Sequence, residues 1–107
     1  SALHKNRGPE LWHHYLGDPL DMLTLLPDGT IRRFRLGGDL TGGERPCIAV
    51  AGEVWVGATT SGDWSLVGAT MAPGWVPEGF TLAARSELLI QYPAATNDII
   101  RLTREDS

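Results

Sequence analysis

Apolar and polar residues alternate along most of this chain in short runs bounded by glycine and proline, a pattern that predicts strands. In residues 10–16, ELWHHYL, a strand would place Glu10, Trp12 and His14 on one face and Leu11, His13 and Tyr15 on the other. A short strand ending near His4 precedes it. The intervening Asn6-Arg7-Gly8-Pro9 reads as a loop, because Pro9 has no N–H to give to a ladder. After a turn at Gly17-Asp18-Pro19, residues 20–26 form the next strand. Pro27-Asp28-Gly29-Thr30 is a hairpin signal, with proline presetting the first turn position and glycine accepting positive φ, and residues 31–36 return antiparallel.

The glycine-rich stretch 37–46 lacks the Gly-Lys-Ser/Thr ending of a phosphate loop and no helix pattern follows it, so it reads as a connection between two sheets. Residues 47–51, 54–58 and 64–71 are further strands. Gly52-Glu53 makes a tight turn, and Pro73-Gly74 turns the chain into an extended return over 75–81. Only the tail has a helical pattern. Ser86 stands where an N-cap would serve a helix over 87–91, ended by Pro93, and a second short helix runs from Ala94 or Asn97 to about Leu102. The expected fold class is all-β, a sandwich or barrel, with the short C-terminal helices as a cover.

At 107 residues the chain is expected to form a single domain. Its net charge of -4, with lysines and arginines scattered, gives no basic patch for a phosphate backbone, so nucleic acid is not an expected partner. No apolar run approaches the roughly 20 residues of a membrane span, and the N-terminus lacks a signal-peptide pattern, so no membrane partner is expected. Cys47 is the sole cysteine, which rules out an internal disulfide and a cysteine metal site and fits a cytoplasmic location. Beside Ile48, its thiol is expected to be buried and inert.

Candidate chemistry gathers near the start of the chain, where all three histidines, a glutamate and a tryptophan fall within residues 1–17. If the Glu10 face lines a cavity, a carboxylate, an indole and an imidazole converge there, and His4 on a neighbouring strand joins them. A carboxylate against an apolar wall has its pKa raised, and an adjacent imidazole can share its proton. His4 and Glu10 are therefore the expected catalytic pair. Trp12, His14, Trp55, Ala69 and Met71 are the expected ligand-binding wall.

The runs Glu10-Leu-Trp-His-His-Tyr-Leu-Gly-Asp-Pro-Leu20, Pro27-Asp-Gly-Thr30, Leu36-Gly-Gly-Asp-Leu40, Gly43-Glu-Arg-Pro46, Leu66-Val-Gly68, Ala72-Pro-Gly74 and Leu88-Leu89 followed by Tyr92-Pro93 resemble a small, uncharacterised cupin group related to dTDP-sugar epimerase-like cupins. The resemblance covers nearly the whole chain. It implies a double-stranded β-helix, or jelly roll, around a small-molecule pocket, and a homodimer. Members of that group carry a further N-terminal segment that this sequence lacks, so the expectation is an incomplete chain or one completed by a partner.

Metal-binding cupins use a His-x-His pair, a glutamate and a later histidine. The resemblance places His4 and Glu10 on two of those positions, with Ala2 and Val56 on the others, so neither a metal nor any other cofactor is expected. Related sugar epimerases pair a histidine base with a carboxylate and add a tyrosine acid and basic residues for a diphosphate. Tyr15 falls on the opposite face from Glu10, which weakens that reading. The function expected is binding of a small organic molecule, with metal-free proton transfer of an isomerase or epimerase type as the accompanying chemistry. A sugar-nucleotide epimerase and a metal-dependent oxygenase are the alternatives.

Overall fold

The computed structural model describes residues 1–104. Among them, eight strands form two antiparallel sheets: β1 (His4–Asn6), β2 (Glu10–Gly17), β3 (Leu20–Leu25), β4 (Ile31–Leu36), β5 (Cys47–Val50), β6 (Trp55–Thr60), β7 (Ser65–Met71) and β8 (Phe80–Leu82). The larger sheet has the order β4-β3-β6-β1-β8 and the smaller β5-β2-β7. Two short helices follow, α1 (Arg85–Gln91) and α2 (Thr96–Arg101).

The two sheets face each other across one core, Trp12, Leu20, Met22, Leu36, Ile48, Val50, Val54, Val56 and Ala58. The far face of the larger sheet meets the helices in a second core, where Leu3, Leu23 and Leu25 pack with Leu88, Tyr92, Ala95, Ile99 and Leu102. This sheet is thus covered on both sides, which is why β3 reads LDMLTL with little polar alternation. Burying each of these leucines and isoleucines contributes about 1.5–3 kcal/mol. Tyr92, buried among them, donates its hydroxyl to the Leu26 carbonyl at 2.5 Å.

The smaller sheet has one covered face, and Leu11, Tyr15, Leu16, Trp64 and Leu66 are exposed. Alternation in β2 holds from Glu10 to His14 and then breaks. The pairing with β7 shifts between His14 and Leu16, so Leu16 comes to lie opposite Leu66, and the Tyr15 ring lies across Gly68.

Three local expectations are corrected. Residues 75–81 are not one extended return: a 3-10 turn at Pro77–Gly79 precedes β8, which begins only at Phe80. Ser86 does not cap α1, which begins at Arg85 with Ala84 in the cap position and no side-chain cap bond. Arg85 instead docks the start of α1 onto the end of α2, donating to the Ile100 carbonyl at 2.8 Å and to Thr103 Oγ1 at 2.8 Å. Cys47 is exposed, because Ile48 and Val50 take the inward positions of β5 and leave Cys47 outside, 3.9 Å from His13 Nδ1. Among the described residues, no helix is long and apolar enough to cross a membrane.

Candidate functional site

Three crossovers between the sheets meet at one end of the barrel. Residues 7–9 lead from β1 to β2, residues 51–54 from β5 to β6, and residues 72–79 from β7 to β8. Glu10 is flanked there by Val50 and Met71, while Asn6 pairs with Phe80. Backbone bonds tie the crossovers together, Glu53 N to Asn6 O at 2.7 Å and Arg7 N to Gly79 O at 3.0 Å. Gly52 is needed for this closure, since a Cβ there would run into the Arg7 carbonyl oxygen.

Inside this end, His4 from the larger sheet faces Glu10 and Trp12 from the smaller. His4 Nε2 lies 3.9 Å from Glu10 Oε1, and the Trp12 indole N–H donates to the same oxygen at 2.7 Å. The His4 ring stacks with Phe80, 5.3 Å away, and with Trp12, 6.5 Å away. His4 Nδ1 is 2.8 Å from the Ala2 carbonyl, which can only accept. The N–H therefore sits on Nδ1, and Nε2, facing Glu10, is the atom that gains and loses a proton.

Burial works against charge on both groups, and their mutual attraction outweighs it. The His4 pKa is raised: burial lowers it, but the Glu10 carboxylate and the Ala2 carbonyl raise it by more. The Glu10 pKa is lowered: burial raises it, but His4 and the Trp12 N–H stabilise the carboxylate by more. At 3.9 Å the contact is a close ion pair, too long for a direct hydrogen bond. The expectation of a raised Glu10 pKa is thus corrected, because His4 and, after it, the Trp12 N–H stabilise the carboxylate by more than burial penalises it.

The other expected wall residues divide. Trp12 is buried, while Met71, half-buried, lies opposite Glu10, and Ala69, exposed, lies opposite Trp12. His14 shares the Trp12 face, but it stands four residues, about 13 Å, along the strand from Glu10. Its Nε2 is 3.1 Å from the Asp18 carbonyl and braces the turn into β3. Trp55 is not a barrel-wall residue. Val54, Val56 and Ala58 point into the barrel, so Trp55 faces the helix side, where the Lys5 ammonium lies 4.9 Å over its ring.

Two residues absent from the expected set belong here. Asn6, read as loop, ends β1 and is buried on the same face as His4; the i, i+2 spacing of the two was the available signal. Phe80 reaches His4 because β8 pairs with β1, a relation between residues 74 or more positions apart that no local pattern carries.

Two facing antiparallel sheets joined by end crossovers around an apolar core with a few inward polar groups define a jelly-roll protein of the cupin class. Residues 1–83 match the family described as Cupin superfamily (DUF985), and the chain belongs to that family. The solved structure of protein SO0799 from Shewanella oneidensis is similar, with 31% identity and a TM-score of 0.93 over 99% of this chain and 68% of that one. A hypothetical protein from Leishmania major is 25% identical, with a TM-score of 0.89 over 98% of this chain and 69% of that one. No functionally curated protein matches the sequence.

Many cupins hold a metal, and the residues present here do not fit one. Val56 lies directly opposite His4 on β6, buried and without a donor atom, Ala2 likewise offers no side-chain ligand, and Trp12 occupies the near oxygen of Glu10. Among the described residues, no group of three or more His, Cys, Asp or Glu side chains comes together that could hold a metal ion, whereas a catalytic zinc takes three protein ligands. Both tyrosines lie outside the barrel, Tyr15 stacked on His13 and Tyr92 in the helix-side core.

Proposed function

We propose that the protein binds a small organic molecule at the crossover end of the barrel and exchanges a proton with it through His4 and Glu10. The observation that carries this reading is the 3.9 Å between His4 Nε2 and Glu10 Oε1. The gap is too long for a bond, yet one ligand oxygen or nitrogen could stand within hydrogen-bond distance of both atoms. Trp12 and Phe80 supply flat apolar walls beside it.

The pair is set up for an isomerisation next to a carbonyl. The Glu10 carboxylate takes a proton from the carbon, the C–H electron pair moves into the carbonyl, and the His4 Nε2–H donates to the developing oxygen. Return of the proton by Glu10 to the adjacent, hydroxyl-bearing carbon, with that hydroxyl's proton passing to His4 Nε2, moves the carbonyl by one carbon and completes the cycle with no other reactant. A sugar-nucleotide epimerase of the tyrosine type is disfavoured, since neither Tyr15 nor Tyr92 is in the barrel.

Native mass spectrometry of freshly purified protein and a thermal-shift screen of hydroxy acids, keto acids and sugars would identify binders. Each binder is then followed by NMR in D2O. Deuterium incorporation at carbon with wild type, lost in both His4→Ala and Glu10→Gln while binding is largely kept, is the expected result. Deuterium exchange indifferent to both substitutions, or no exchange with any binder, would overturn the reading.

A further inference from the structure

Between the first and third crossovers lies an open cavity of about 160 Å³, lined by Gly8, Met71, Pro73, Gly74, Val76 and Gly79, with Asn6 and Arg7 completing the wall. Two relationships join it to the site just described. Met71 is the cross-strand partner of Glu10, and residues directly opposite on paired strands turn to the same face, so Met71 borders both the carboxylate and the cavity. Trp75, on the third crossover, packs edge-on against Phe80 at 5.8 Å, and Phe80 in turn stacks with His4.

The surface of this cavity is almost wholly carbon. An apolar pocket next to a small polar pair suits a ligand with one alkyl end and one oxygenated end. A sugar suits it poorly, because hydroxyls set against Met71, Pro73 and Val76 lose water and gain no partner. An apolar cavity of about 150 Å³ takes a guest as large as benzene, so an alkyl group of up to about six carbons fits.

We propose that this cavity seats the alkyl end of the substrate, which makes the ligand a short-chain aliphatic α-hydroxy ketone. Its carbonyl and hydroxyl lie at His4 and Glu10, and its alkyl chain lies against Met71, Pro73 and Val76. The oxygenated end rests on the proton-exchange reading above, whereas the alkyl end rests on the cavity alone. Met71 and Val76 are then specificity residues, selecting carbon over hydroxyl.

The test uses 1-hydroxypropan-2-one, 1-hydroxybutan-2-one, 1-hydroxypentan-2-one and 1-hydroxy-4-methylpentan-2-one, with erythrulose as the polyhydroxylated match for the four-carbon member. Dissociation constants are read by NMR from the backbone amide signals of Gly8, Gly74, Val76 and Gly79. Proton exchange is read from deuterium entering each ligand in D2O above the protein-free rate. Affinity is expected to rise about two- to fourfold with each added carbon, about fourfold being full burial of a methylene. Erythrulose is expected to bind about fivefold or more weakly than 1-hydroxybutan-2-one. Val76→Asp should flatten the series, and Val76 is 53% exposed, so this variant is expected to fold. Gly8→Leu, whose Cβ would start 3.8 Å from Pro73 Cδ, should weaken the six-carbon member and spare 1-hydroxypropan-2-one. The graded binding should persist in His4→Ala, in which the exchange is lost.

A flat series, tighter binding of erythrulose, a series unchanged in both cavity variants, or no binding by any probe would each overturn the assignment. A graded series with no exchange in any member keeps the cavity as an alkyl site and removes the proton-exchange reading. Exchange that needs His4 and Glu10 but ignores chain length and Val76→Asp does the reverse.

Discussion

The indole N–H of Trp12 holds Glu10 Oε1 at 2.7 Å, from two residues along the same strand. This short-range bond keeps a half-buried carboxylate ionised beside a buried histidine. A hydrogen bond to a charged group contributes about 1.5–3 kcal/mol, so Trp12→Phe should destabilise the protein by about that amount. It should also raise the Glu10 pKa, measurable by following the Glu10 carboxyl carbon by NMR against pH.

Stability should carry the signature of the His4–Glu10 pair. The His4 pKa is raised above its ordinary 6.5, so its contribution is complete below pH 6.5 and is lost as pH rises through the raised folded value. The Glu10 pKa is lowered below its ordinary 4.5, so its contribution is complete above pH 4.5 and is lost as pH falls through the lowered folded value. Both are therefore fully present together between pH 4.5 and 6.5. Denaturant unfolding across pH should show the wild-type advantage over a His4→Gln/Glu10→Gln double variant greatest in that window and declining on either side.

Gly52→Ala should be costly for its size. The added methyl group meets the Arg7 carbonyl oxygen, backbone that cannot swing aside, so about 1–3 kcal/mol of stability should be lost by urea unfolding. The amide signals of Arg7 and Gly8 should shift with it, because the 51–54 crossover supports that stretch.

Cys47 should react with a thiol reagent in the native protein, at one equivalent per chain and without denaturant. Cys47→Ser should change stability by no more than about 0.5 kcal/mol, as expected of a surface position. A thiol that reacted only after unfolding would contradict its placement on the outside of β5.

The sequence pattern located most strands because the turns are chemically explicit. Pro27-Asp28-Gly29-Thr30 sits between β3 and β4 as its composition demands, with Gly29 at φ 93°. The Glu10, Trp12, His14 alternation likewise survives in the folded strand. What escaped was orientation where alternation carries no polarity. Residues 54–58 are apolar on both faces because the larger sheet is covered on both, so nothing local said that Val56 points inward and Trp55 outward. Cys47 was misjudged beside Ile48 for the converse reason: adjacent strand residues face opposite ways, so the burial of one argues for the exposure of the other. Asn6 was hidden by the Gly8-Pro9 signal that follows it, which drew the start of the loop one residue too early.

The three residues of β1 have no partner nearby in the chain. Their pairings are with β6 and β8, and Leu3 just before them donates its N–H to Leu102 and accepts from Ala83. During synthesis, then, His4 and Asn6 emerge well before the β6 and β8 residues they pair with. The smaller sheet and the β3–β4 hairpin can assemble early, but the end of the barrel that bears the chemistry closes only when Leu82 has emerged. Pairings across such sequence separations form slowly, so this end should become native after the smaller sheet and the β3–β4 hairpin.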